Sequence, residues 1–153
     1  MSRDEWQSSL VRDYAAAKSR QDVGAALAHC HPDFAIETVP FGTASRDREE
    51  TARHLALFFS VFPDYRAETE GLASGADGVG WWGRVSVTFR GPLLGLPPTG
   101  RAVTLPAFSV FAFRDGQLLR ERFFFDLAAL CEGVGLRLDD VTKALAPLRA
   151  ALH

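Results

Sequence analysis

Cysteine is nearly missing from this chain. Its 153 residues hold two, Cys30 and Cys131, with one methionine and two tyrosines. The two cysteines lie far apart and match no metal-binding spacing. They read as buried free thiols rather than as a disulfide. Charge of one sign is missing as well: 17 basic side chains face 19 acidic ones, a formal charge of −2. No global field therefore draws the chain to nucleic acid or to an acidic membrane, and any ligand has to be recognised by a pocket. No apolar run approaches the ~20 residues of a membrane span. The opening MSRDEWQSSL has acids early and no apolar stretch of signal-peptide type. A soluble cytoplasmic protein is expected. Repeats and low-complexity tracts are absent too, so residues 1–153 read as one domain.

Aromatic residues, by contrast, are plentiful. Twelve phenylalanines and three tryptophans stand in a chain that is 47% hydrophobic. That is enough for a core without covalent staples, and it favours an aromatic-lined interior, solid or hollow.

The periodicity changes along the chain. Ser2 and Glu5 form a capping box, and Trp6, Leu10 and Tyr14 follow at helical spacing, which predicts a helix to about Ser19. A shorter helix fits 22–29, and His31-Pro32-Asp33 turns the chain. Residues 34–39 alternate as a strand, and 40–45 read as loop. Asp47 with Glu50 starts another helix, whose stripe is Leu55, Phe58, Phe59 and Phe62. From Tyr65 the period becomes two. Strands are predicted over 65–73, 79–90, 101–113 and 117–125, the last pair joined by an Asp-Gly hairpin. A short helix should follow Asp126, and a C-terminal one should span 138–152, interrupted by Pro147. Helices, one strand, a helix and then a four-strand meander indicate an α+β fold: a curved antiparallel sheet wrapped over the N-terminal helices as a cone whose mouth suits a ligand.

The chain is organised around Gly91–Phe125 and the acid after it, Asp126. A carboxyl leaving a hydrophobic core can have a raised pKa and transfer protons. It can equally be the N-cap of the helix starting at Leu127, which would lower its pKa. Both roles are open. Tyr14, on the inward stripe of the first helix, either presents its hydroxyl to the cavity or is core. His54 is either a cavity donor or a boundary histidine. His29 and His31 flank Cys30 without a carboxylate partner and read as a surface turn, not a metal site. Trp81 should face inward with Val79 and Val85, as core or as a stacking wall. Trp82 should face outward beside Arg84, which suggests a homodimer through the outer sheet face. Arg120, Glu121 and Arg122 should cross-pair with neighbouring strands or a partner subunit. Glu37 should point outward.

Four stretches resemble one family. They are Phe62-Pro63-Asp64-Tyr65-Arg66, the loop Gly91-Pro92-Leu93-Leu94-Gly95-Leu96-Pro97-Pro98-Thr99-Gly100-Arg101, the segment Phe111 to Leu118, and Glu121 to Asp126. Together they are similar to SnoaL-like proteins over about residues 10–136, the loop being the most specific part. The resemblance implies a nuclear-transport-factor-2-like cone, often dimeric through the outer face of its sheet. It also implies polyketide-cyclase chemistry, an intramolecular aldol ring closure of isomerase or lyase type that needs neither metal nor organic cofactor. In such enzymes an aspartate matching Asp126 takes a proton from a carbon between carbonyls. The superfamily also holds hydrolases and hydroxylation-associated proteins. A non-catalytic binding domain, or a hydrolase of a small hydrophobic substrate, is therefore an alternative expectation. Two positions depart from the pattern: Gly83 stands where many relatives carry a bulky residue, and Phe89 where many carry histidine. The expected site has Asp126 as acid/base and Tyr14 or His54 as polar assistant. Trp81, Phe89, Phe108 and Phe124 form the apolar wall around a hydrophobic substrate.

Overall fold

The computed structural model describes residues 1–150. The first helix, α1 (Arg3–Ser19), starts where expected: the Ser2 hydroxyl accepts from the Glu5 backbone N–H at 3.2 Å. It is followed by α2 (Val23–Leu27), capped by Asp22. Asp47 caps α3 (Arg48–Val61) in the same way, accepting from the Glu50 N–H at 2.8 Å. These caps satisfy N–H groups that a helix start otherwise leaves unpaired.

Six strands form one sheet: β1 (Cys30–Thr38), β2 (Thr43–Ala44), β3 (Arg66–Gly75), β4 (Gly78–Thr88), β5 (Ala102–Arg114) and β6 (Gln117–Phe125). Their order is β2-β1-β6-β5-β4-β3. The meander β3 to β6 is antiparallel, as the alternation predicts. β1 joins its far edge parallel to β6. It begins four residues earlier than the alternation suggests, because His29 O, the residue before it, already accepts from the Leu118 N–H. The expected loop 40–45 contains a short 3-10 turn, Val39–Phe41, and the two-residue β2. Irregular pairings in β1, in β3 near Gly71 and between β5 and β6 bend the sheet. Its inner face packs on α1 and α3.

The last helices are α4 (Leu127–Val134) and α5 (Leu138–Ala150). Val141 and Leu145 of α5 are buried, so this tail belongs to the packed structure. The expected end of that helix at Leu152 lies outside the described residues. Cys30 and Cys131 are both buried and free. Among the described residues no helix is long and apolar enough to cross a membrane.

One irregularity decides which side chains face inward at the end of the sheet. Ala112 pairs with Arg120 but Phe113 pairs with Leu118, so Leu119 is an extra residue in β6. Beyond it Glu121 and Phe123 are buried, while Arg122 is exposed and Phe124 lies half-buried on the outer side. Asp126 continues the outer parity. Thus Phe124, expected in the cavity wall, stands on the outer face, and so does Phe108, likewise expected there, because β5 buries Leu105, Ala107, Ser109 and Phe111 instead. Phe108 and Phe124 stack there with ring centres 4.6 Å apart and planes at 9°.

Candidate functional site

A cavity of about 470 Å³ opens between α3, the end of β1, the Leu93–Leu94 part of the Gly/Pro-rich loop, and α5. Apolar side chains dominate it: Ile36 and Phe123 from the sheet, Phe58 and Phe62 from α3, and Leu145 and Leu148 from α5. The apolar stripe of α3 faces this space because the caps at Asp47 fix where its turns begin.

The polar groups divide into two sets. Arg46, Glu50, Arg53 and His54 line the same cavity from the start of α3. Arg46 donates to Glu50 Oε2 through Nε at 2.8 Å and Nη2 at 2.6 Å. Those hydrogen bonds hold the Glu50 carboxyl below its usual range. The other oxygen, Oε1, lies 3.8 Å from His54 Nε2. The imidazole is 39% exposed. Its partial desolvation lowers its pKa below 6.5, against the opposing pull of Glu50. His54 is therefore a neutral imidazole at pH 7, able to accept a proton, with an ionised carboxylate nearby to favour the imidazolium that results.

The second set lies deeper. Lys18, near the end of α1, reaches the cavity wall and is only 6% exposed. Its Nζ donates to Glu121 Oε1 at 3.3 Å. The Tyr14 hydroxyl donates to the same oxygen at 2.7 Å, and the Ser109 hydroxyl donates to Oε2 at 2.7 Å. Burial alone would push the Lys18 ammonium down. Attraction to Glu121, with Tyr65 and the hydrogen bond, outweighs burial and keeps the pKa above the ordinary lysine value. The cation persists at neutral pH.

The expected residues distribute as follows. Tyr14 is buried and its hydroxyl is spent on Glu121, so it braces the deep ion pair rather than lining the cavity. His54 does line it. Trp81 is buried in the core, its indole N–H donating to Thr69 Oγ1 at 2.8 Å, and it does not line the cavity. Phe89 is fully buried against Phe62 and is likewise core. Phe124 is on the outer face because of the β6 parity, and Phe108 because the buried residues of β5 are Leu105, Ala107, Ser109 and Phe111. Asp126 is exposed and caps α4, accepting from the Ala129 N–H at 3.1 Å. The carboxylate that the fold does bury is Glu121. Arg122 pairs with Glu37 at 3.0 Å on the outer side, as the cross-pairing expectation has it. Gly83 faces inward, but it leaves no vacancy. A Cβ there would stand 2.0 Å from Glu68 O and 2.9 Å from the Trp81 ring.

Lys18 and Glu121 are site residues that periodicity alone passes over. The signal was nevertheless present. Lys18 continues the Val11–Tyr14 stripe of α1 as a charge on an apolar face, and Glu121 shares a face with Phe123 and Phe125, although only the bulge at Leu119 decides that this face is the inner one.

A family model described as SnoaL-like polyketide cyclase matches residues 8–133. No curated protein matches the chain. Among solved structures, the chain is similar to a putative SnoaL-like polyketide cyclase from Jannaschia sp. CCS1. That likeness has a TM-score of 0.78 and 23% identity, over 87% of this chain and 94% of that one. It is also similar to a putative polyketide cyclase from Pseudomonas putida KT2440, with TM-score 0.71 and 24% identity over 82% and 95%. A third neighbour is AclR, a putative hydroxylase from Streptomyces galilaeus, with TM-score 0.72 and 21% identity over 88% and 98%. At these identities the neighbours establish the fold, the cone expected from the sequence.

Proposed function

This chain belongs to the SnoaL-like polyketide cyclase family, and on that premise we propose that it is an acid–base enzyme acting on an apolar small molecule held in the α3–α5 cavity. The observation that carries this reading is His54: a neutral imidazole on the wall of a mostly apolar space, 3.8 Å from the ionised Glu50. His54 takes a proton from the carbon next to a carbonyl; the C–H electron pair becomes a carbon–carbon double bond and the carbonyl π pair moves onto oxygen, giving an enolate. The enolate carbon then attacks a second carbonyl in the same molecule. That carbon–carbon bond closes the ring, and the imidazolium returns its proton to the new alkoxide, which restores the neutral base. Stopped before the attack, with the proton returned elsewhere, the same steps give an isomerisation. Action in the cytoplasm agrees with two unpaired thiols, and a homodimer through the outer sheet face is the assembly this reading adopts.

The cavity also favours a second reading, ligand binding without turnover, because the carboxylate on its wall is committed to Arg46. Deuterium exchange at the α-carbon of 2-tetralone, followed by NMR in D2O, separates the two. Wild type should accelerate exchange, and His54→Ala should slow it by about 10²–10⁴-fold, while Asp126→Asn leaves it unchanged. Saturable binding of 2-tetralone with no acceleration would select the binding-domain reading.

A further inference from the structure

The deep ion pair is lopsided, and the asymmetry points outward into the cavity. Glu121 is well supplied: Tyr14 and Lys18 reach one oxygen and Ser109 the other. It is also 3% exposed and does not line the cavity. Lys18 is the reverse. Its ammonium carries three N–H donors, yet among the described residues it has a single hydrogen-bond acceptor, Glu121 Oε1. Around it stand the rings of Tyr14, Tyr65 and Phe123, with centres 5.1, 5.5 and 5.3 Å from Nζ. Ring faces attract a cation but do not satisfy directed N–H groups as an oxygen does. Phe123, like Lys18, forms part of the cavity wall.

We infer that Lys18 is an anion-holding group of the cavity, built to receive the ionised oxygen of an enol or phenol carried on a flat apolar skeleton. This rests on the reading that the cavity takes an apolar small molecule. A lysine ammonium is a point charge and suits a single oxygen, whereas a carboxylate or phosphate is matched by the two-pronged guanidinium of arginine. The aromatic and aliphatic walls leave the remainder of such a ligand uncharged. Glu121 keeps the unliganded cation from standing alone in a region that solvates charge poorly. The charged and titratable groups around Lys18 are Glu121, Tyr65 and Cys30, with the Tyr14 ring beneath its ammonium. Arg46, Glu50, Arg53 and His54 share the cavity from the start of α3. For the proposed chemistry the same contact stabilises the enolate oxygen that forms when His54 removes its proton.

The test uses two probes of one skeleton: 4-nitro-1-naphthol, whose phenolate absorbs in the visible, and 1-nitronaphthalene, which lacks the hydroxyl. On wild type the bound naphthol should ionise about one pH unit or more below the free compound, because a nearby cation favours its anion. Lys18→Met should abolish that displacement and weaken naphthol binding about tenfold or more, with nitronaphthalene affinity within about twofold. Lys18→Arg should restore much of the displacement. Because Lys18→Met strands a buried carboxylate, the double variant Lys18→Met/Glu121→Gln is measured beside it and should show the same loss. Unchanged naphthol affinity and ionisation in the double variant would overturn the inference. If wild type binds nitronaphthalene but leaves the naphthol's ionisation unmoved, Lys18 is excluded while the apolar-ligand reading stands. If wild type binds neither probe, both fail.

Discussion

Tyr14 and Glu121, 107 positions apart in sequence, meet with the tyrosine hydroxyl donating to the carboxylate at 2.7 Å in a fully buried setting. The contact ties α1 to β6 and fixes where the Lys18 ammonium rests. Tyr14→Phe removes one donor from a buried charge and changes little else in shape. We expect a loss of roughly 1.5–3 kcal/mol in stability, the usual cost for a hydrogen bond to a charged group. Urea unfolding measures it. Because Tyr14 does not line the cavity, exchange into 2-tetralone should persist in the folded variant. A variant as stable as wild type would mean that Lys18 and Ser109 alone satisfy the carboxylate.

His54 sets the pH dependence. Its pKa lies below 6.5, with desolvation the leading cause. A proton acceptor must be neutral, so kcat/KM should be flat at neutral pH and fall on the acid side with a midpoint under 6.5. Glu50 raises this pKa against the burial effect, so Glu50→Gln should move the midpoint further to acid. The pH–rate profiles of wild type and this variant check both directions. A midpoint above 6.5 would assign the limb to another group.

Asp126 offers a clean separation of capping from catalysis. Asparagine caps a helix about as well as aspartate, whereas alanine does not. Asp126→Ala should therefore cost about 1 kcal/mol, Asp126→Asn only a few tenths, and both should keep their exchange activity. Thermal unfolding and the 2-tetralone assay, run on both variants, give the answer. Loss of activity in a stable Asp126→Asn protein would restore the aspartate to the reaction.

These three residues also show what the sequence can and cannot convey. Tyr14 was readable as an inward residue, because the stripe Trp6, Leu10, Tyr14 follows the helical period. Its partner was not, because pairing α1 with β6 is a tertiary event. The strands from 65 to 125 were readable from their alternation, and β4 fulfils it with Trp81 inward and Trp82 outward. The parity of β6 was not readable. One extra residue, Leu119, exchanges the faces of everything after it, and no composition signal marks a bulge of this kind. That single residue moves Phe124 and Asp126 out of the expected site and puts Phe123 and Glu121 inside, whereas Phe108 faces outward by the alternation of β5 itself, whose buried residues are Leu105, Ala107, Ser109 and Phe111. The parallel pairing of β1 was hidden for a similar reason: its partner strand lies almost the whole chain away.

The outer face makes its own prediction. Trp82, Phe108 and Phe124 are direct cross-strand neighbours on β4, β5 and β6. Trp82 is 45% exposed and Phe108 48%, with Val110 at 45% beside them. A contiguous aromatic row of this kind suits an association surface, and the homodimer proposed above would cover it with the same residues of a second copy about a two-fold axis. Phe108→Glu places two like charges at the centre of such an interface. Sedimentation should show a dimer for wild type and a monomer for Phe108→Glu. A monomeric wild type would refute the assignment.

The C-terminal helix lies beyond the residues that the family model matches, yet it closes one wall of the cavity through Leu145 and Leu148. Its last turn is pinned by Arg149, which donates to Phe41 O at 2.6 Å and Pro40 O at 3.4 Å. The guanidinium fits because position 42 is glycine. Gly42 has φ +67, and a Cβ on it would stand 2.8 Å from Arg149 Nε. Charge-assisted bonds to backbone oxygens are worth more than neutral ones, so Arg149→Ala should free the last turn of α5 and loosen the wall formed by Leu148. We expect the Kd for 1-nitronaphthalene to rise about fivefold, near 1 kcal/mol, with little change in global stability because Val141 and Leu145 still anchor the helix. Gly42→Ala should reproduce the affinity loss from the other side, adding backbone strain at a left-handed position. Isothermal titration of both variants tests the pairing. Wild-type affinity in both would show that the cavity holds its ligand without the helix.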